Sequence, residues 1–286
     1  MNTVIYIDVV RNKKKLLRIL ICTVAFLLVC FVLSFIIDLV FPSFNAHFDF
    51  PQSIDSFLVF YDWHEHLYSN LWSLFAFVFP YIFIFILMVE YSCSIVEEEE
   101  FETLSYMRSL GIGRETILIS KLLVRLAWSL ILCVALFLEN LLFFIVINDR
   151  KMILVAGIYS LKLFLVGLLH FTFALFIAAC SVREKNCTIA SGVVVLIEFV
   201  IGRLHSYVRL LADTLFVSGK KYNEIDWLYT ISAKLEALKI LSPIKLCYPK
   251  QSVTLSLGIC IAIIGIVFSV AGYSIYNRDQ IVFRNR

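Results

Sequence analysis

Glu139 and Asn140 stand side by side within an apolar run near residues 124–147. Glu198 lies in another such run, five residues before Arg203, and Lys162 and His170 share a third. Ionisable groups are costly in hydrocarbon, so those that persist there tend to pair with one another or to line a route for protons, ions or cargo. Glu139, Asn140 and Glu198 are therefore candidates for a translocation path. The competing reading makes Glu139 and Glu198 members of interhelical pairs and lets Lys162 and Arg203 snorkel to the membrane interface. A second polar group, Asp62, His64, Glu65 and His66, has ligand types that suit zinc. It does not form the H-E-x-x-H of a metalloprotease helix, because residue 68 is tyrosine, and a solvated loop accounts for it; no metal site is assigned. The nearest approach to a phosphate-binding loop, Ser218-Gly219-Lys220-Lys221, lacks both the upstream glycine and the closing Ser/Thr. The chain is thus read as having no ATPase or other enzyme core, and no cofactor is expected in it.

These residues sit in a strongly apolar frame. Of 286 residues, 61% are hydrophobic and 16% charged, with a mean hydropathy of +0.90; a soluble domain is about 45–50% apolar and about 25% charged. The apolar residues gather in runs near the roughly 20 residues that cross a hydrocarbon core, too long and too uniform for barrel strands. Without water in the core, each backbone amide must bond within its own helix. The expected fold is an all-α integral membrane protein: a six-transmembrane-helix bundle forming one domain over 1–286, with spans near 16–37, 70–94, 124–147, 154–180, 188–204 and 253–276. Pro80 is positioned to kink the second. The first run is longer than the apolar region of a signal peptide and has no small-residue cleavage site after it, so it reads as a retained span. A net charge of +3 gives no argument for nucleic acid. Of eight cysteines only Cys247 falls in a long loop, which speaks for small hydrophobes and against a disulfide framework.

Lys and Arg near the spans place both termini in the cytosol. The inner segments 1–18, 95–125, 181–187 and 277–286 then carry fourteen basic residues, whereas the first outer loop, 38–69, has none and holds five acidic ones. The long outer loop between spans five and six, 205–252, strains this assignment with Arg209, Lys220, Lys221, Lys234, Lys239, Lys245 and Lys250. Within it, residues 227–241 place Leu228, Ile231, Leu235, Leu238 and Leu241 at helical spacing, as in an amphipathic helix on the membrane face.

The cytosolic segment between spans two and three, 97–121, reads EEEEFETLSYMRSLGIGRETILISK. Helix formers run to Leu110, Gly111 and Gly113 interrupt them, and a new helical pattern begins near Arg114. Phe101, Leu104, Met107 and Leu110 recur at three-residue steps. The result is a helix–turn–helix knuckle, acidic on one side and apolar on another.

This stretch resembles the cytosolic loop of ABC type-2 exporter permeases. Glu100, Thr103 and Leu104 match its acidic opening, Leu110, Ile112 and Arg114 its turn, and Ile117, Leu118 and Lys121 the lead into span three. Glu102 stands where the family usually has glycine and Gly111 where it usually has proline, which marks a divergent member. Ala178-Ala179-Cys180-Ser181-Val182-Arg183 and Tyr276-Asn277-Arg278-Asp279 resemble the family's turn after span four and its ending. The resemblance implies that the knuckle is a coupling helix seated on a separate ATPase. Glu100, Glu102, Thr103, Leu104, Met107, Arg108, Leu110, Gly111 and Arg114 would then carry the coupling. It further implies an ABC ATPase dimer as partner, which binds ATP and Mg, and a second permease copy or a paired permease. The setting is a bacterial cell membrane, and the cargo a peptide such as a bacteriocin, a drug, a lipid or a glycan. Two other readings compete: a non-enzymatic membrane sensor or assembly partner, and a CAAX-type intramembrane protease. Against the protease, position 104 is leucine where an arginine would follow Glu99 and Glu100, and position 166 is valine where a phenylalanine would precede His170.

Overall fold

The computed structural model describes isolated residues between 9 and 36, then 67–100, 109, 111–146, 150–181, 183–218, 222–236, 238, 241–247 and 262–274. Among these residues all regular structure is helical. Five long elements come first: α1 (Leu67–Glu100), α2 (Arg114–Val146), α3 (Arg150–Cys180), α4 (Glu184–Val217) and α5 (Tyr222–Glu236). A 3-10 turn, Pro243–Cys247, follows, and then a shorter apolar helix, α6 (Ala262–Ser274). Within α1 to α4, the segments Val78–Glu97, Glu115–Leu142, Ile153–Cys180 and Glu184–Phe216 are long and apolar enough to cross a membrane. They correspond to expected spans two to five. The first and last expected spans, 16–37 and 253–276, are described only in part; the residues described within them are helical.

Helix α3 is the hub. Tyr91 of α1 meets Phe171 of α3 edge-on at 5.3 Å between ring centroids, and Gly167 lets Leu87 of α1 lie 3.3 Å from where a Cβ would be. Gly157 gives the same clearance to Phe137 of α2. On the other side, Phe268 of α6 stacks edge-on against Phe173 at 4.6 Å, and Gly272 lies against the backbone of Phe176. Small residues at crossings are the usual membrane solution, because lipid supplies no hydrophobic drive between helices and packing must. Ala156, Tyr159, Leu163 and Ala174 are accordingly fully buried. Helices α2 and α4 instead leave long apolar rows outward, such as Leu130, Val134, Leu138 and Leu142 on α2.

The largest departure from expectation falls in 205–252. Span five does not end near 204: α4 continues to Val217, and its 34 residues extend about 51 Å at 1.5 Å per residue. The chain then doubles back as α5. Tyr229 donates to Asp213 at 2.7 Å and Ser232 to the His205 carbonyl at 2.8 Å, so the two helices run antiparallel. Ile225 and Leu228 pack on Ala212, while Trp227 and Ile231 face outward. The leucine stripe that suggested one membrane-facing helix over 227–241 is thus split: Leu228 packs on α4, while Ile231, Leu238 and Leu241 are exposed. Beyond α5 the chain re-enters the bundle, and every residue from Ser242 to Cys247 is buried. Cys247, expected in a loop, is fully buried.

Gly202 permits this re-entry: a Cβ there would lie 2.7 Å from Ser242 Oγ. Gly202→Ala is therefore expected to cost about 1–3 kcal/mol through overpacking and to lower the thermal unfolding midpoint in detergent. Gly192→Ala, whose Cβ would make an ordinary 3.6 Å contact with Phe85, is the control and should leave the midpoint unchanged.

Candidate functional site

Two polar assemblies stand out, one at mid-bundle and one beside the knuckle. At mid-bundle, His170 of α3 and Glu198 of α4 face each other, with Nε2 2.8 Å from Oε1. The other ring nitrogen, Nδ1, lies 2.7 Å from the Val166 carbonyl one turn back on α3. The second carboxylate oxygen of Glu198 accepts the backbone N–H of Ile244 at 3.3 Å. That N–H belongs to the 3-10 turn, so a single carboxylate joins α3, α4 and the re-entrant segment. The neighbouring Lys245 donates from Nζ to the Gly202 carbonyl at 2.5 Å. Both partners of the pair are buried, as are Lys245 and Arg203. Glu198 is 14 residues from the start of α4, about 21 Å along an axis of about 51 Å.

Of the path candidates, Glu198 is thus in an interhelical pair, with a histidine. Glu139 has both carboxylate oxygens buried and no hydrogen-bond partner among the described residues. Asn140 donates from Nδ2 to the Leu136 carbonyl on its own helix at 2.7 Å. No hydrogen bond joins Glu139 or Asn140 to Glu198 among the described residues. Arg203 does not snorkel; it is 1% exposed. The zinc-type cluster Asp62, His64, Glu65 and His66 lies outside the described residues.

The knuckle shows its frame. Glu100 is the last residue of α1 and Arg114 the first of α2. Gly111 adopts φ +77°, the left-handed conformation that its place after a helical run predicts. Glu102, Thr103, Leu104, Met107, Arg108 and Leu110 lie outside the described residues. Beneath the knuckle, buried Lys121 of α2 donates its Nζ to the Ser94 carbonyl of α1. Tyr273 of α6 donates to Glu115 of α2 at 2.5 Å. Cys93 of α1 lies 3.6 Å from the Glu184 carbonyl and 3.7 Å from Thr188 Oγ1, in the first turns of α4. Four helices are therefore tied together just behind the segment that resembles a coupling loop.

Sequence reasoning singled out His170 and Glu198 separately but did not join them. It counted Lys245 among loop lysines, whereas the lysine serves the re-entrant turn. Ile244 gave no signal at all, since its contribution is a backbone N–H.

Residues 56–204 match the family described as ABC-2 family transporter protein. This stretch includes α1, the knuckle, α2, α3 and α4 as far as Leu204. No curated protein and no solved structure matches. With the match covering more than half of the chain and four membrane-length helices in the bundle, the chain belongs to the ABC-2 transporter family and is a multi-pass membrane permease.

Proposed function

We propose that this chain is the membrane-spanning subunit of an ABC exporter, driven by a separate ATPase that docks on residues 97–121. The family match across the knuckle is the observation that carries this reading. The ties behind the knuckle support it: Lys121 to Ser94 and Tyr273 to Glu115 would pass a push on the turn to α1, α2 and α6 together. The working unit is two permease halves, either two copies or a pair, on an ATPase dimer that binds ATP and Mg. Six spans, with both termini in the cytosol of a bacterial cell, complete the arrangement. The cargo is a peptide, a drug or a lipid.

In this reading Glu139, Asn140 and Glu198 border the route. Glu139 is the most informative, because its buried carboxylate has no hydrogen-bond partner among the described residues, and burying such a group costs stability.

The exporter reading predicts that the chain in lipid nanodiscs binds an ABC ATPase and stimulates its ATP hydrolysis. Arg108→Ala combined with Leu110→Ala should cut that stimulation by roughly tenfold, the loss that about 1.4 kcal/mol at a docking hot spot produces. An ATPase stimulated equally by the double variant would place the coupling elsewhere.

Glu139→Leu should separate stability from function. Removing this buried carboxylate is expected to raise the thermal midpoint, while vesicle transport of the cargo falls. A lowered midpoint with transport intact would make Glu139 structural.

A further inference from the structure

We infer that Cys93 of α1 and Cys187 of α4 form a dithiol that hydrogen peroxide oxidises to a disulfide, stapling the two helices together behind the knuckle. The pair belongs to α1 and α4 whatever drives the chain, so a failed test would leave the exporter reading untouched.

Cys93 stands seven residues before Glu100, the end of α1. Its sulfur lies 3.6 Å from the Glu184 carbonyl and 3.7 Å from Thr188 Oγ1. Residues three and four apart on a helix share a face, so 184, 187 and 188 present one surface, and Cys93 lies over it. The Cys187 side chain accordingly meets that of Cys93, with Ser92 and Ser181 also in hydrogen-bond reach. Both cysteines are free thiols. Cys187 is fully enclosed, while Cys93 is 8% exposed. Packing at this crossing asks only for small side chains at 93 and 187. Sulfur at both positions adds a covalent bond that can form between them.

For that bond the two sulfurs must close to about 2.05 Å. Cys187 is placed to make the movement, because it is the fourth residue of α4. Its backbone N–H shares the Arg183 carbonyl with that of Asn186, at 3.3 and 3.0 Å. Arg183 gives the helix no side-chain cap. An uncapped first turn opens locally at lower cost than the helix interior, which also admits a small neutral oxidant.

Cys93, the more exposed of the two, takes the first step. Its sulfur attacks one peroxide oxygen and the O–O bond breaks. The leaving oxygen departs as water with the thiol proton, and Cys93 is left as a sulfenic acid. The Cys187 sulfur then attacks the Cys93 sulfur. The S–O bond breaks, and the hydroxyl leaves with the Cys187 proton as a second water. Two thiols have lost two electrons and two protons, and one peroxide has been reduced to two waters. Because Cys187 is already in contact, disulfide formation outruns a second oxidation of Cys93 to the irreversible sulfinic acid. A dithiol reductant reverses the link by exchange.

The test is peptide mapping by mass spectrometry, without reduction, of the full chain in lipid nanodiscs. The sample is treated with hydrogen peroxide and then denatured in N-ethylmaleimide. The expected product is a linked pair of peptides carrying Cys93 and Cys187, two hydrogens lighter than the separate peptides. Both sites should be lost together from the maleimide-labelled pool and restored by dithiothreitol. Cys180, exposed at the end of α3, is the control thiol and should oxidise without joining either. In Cys187→Ser the Cys93 sulfenic acid has no thiol to meet, so its labelling by dimedone should rise severalfold over wild type. Cys93 and Cys187 both remaining thiols when Cys180 is oxidised overturns the proposal. So does a link from either to Cys180, or unchanged dimedone labelling in folded Cys187→Ser. Should that variant fail to fold, the wild-type map alone decides.

Discussion

A carboxylate buried among helices has no bulk water to turn to, and Glu198 meets that constraint with partners from two other parts of the chain. His170 engages one oxygen, the Ile244 N–H the other, and the Glu198 backbone belongs to α4. Breaking a buried charged contact by removing one partner costs about 3–5 kcal/mol, because the other is left unpaired. Helices α3 and α4 and the turn therefore meet at this group. Lys245 repeats the logic one residue later, placing its charge against a helix carbonyl that Gly202 leaves accessible.

The rest of the bundle is arranged around α3, which carries His170. Aromatic edges on α1 and α6 reach it from two sides, at Phe171 and at Phe173. Glycines at 157 and 167 let α2 and α1 approach closely. At the knuckle end, the same α1, α2 and α6 are bound to one another by Lys121 and Tyr273, and Cys93 meets the start of α4. A set of contacts thus runs from the segment that resembles a coupling loop to the helix that carries His170. That is a statement of contact; an energetic link between the two ends would require an element with two arrangements that both ends bias.

Much of the molecule can be read in one dimension. The apolar runs at 70–94, 124–147 and 154–180 are where membrane-length helices stand, and the glycine after the knuckle's helical run takes the left-handed conformation its position required. Glu139, Glu198, Lys162 and His170 could be picked out because a charge in hydrocarbon is conspicuous in any register. The side of the membrane on which 205–252 lies was hard to assign for a reason now visible: part of its basic count, Lys245, is not loop charge but an internal hydrogen-bond donor.

What the sequence alone determined is class and periodicity: a helical membrane protein, the approximate place of four spans, a left-handed glycine at 111, and a short set of ionisable groups within apolar helices. Those follow from local composition, since the bilayer forces each span to satisfy its own backbone. Only the tertiary structure decided that His170 meets Glu198, that α4 runs on past residue 204 to receive α5, and that residues 242–247 turn back among the helices. These depend on which helix faces lie together across gaps of tens of residues. The decisive donor, the Ile244 N–H, is a backbone group that every residue but proline possesses, so side-chain identity could not have revealed it.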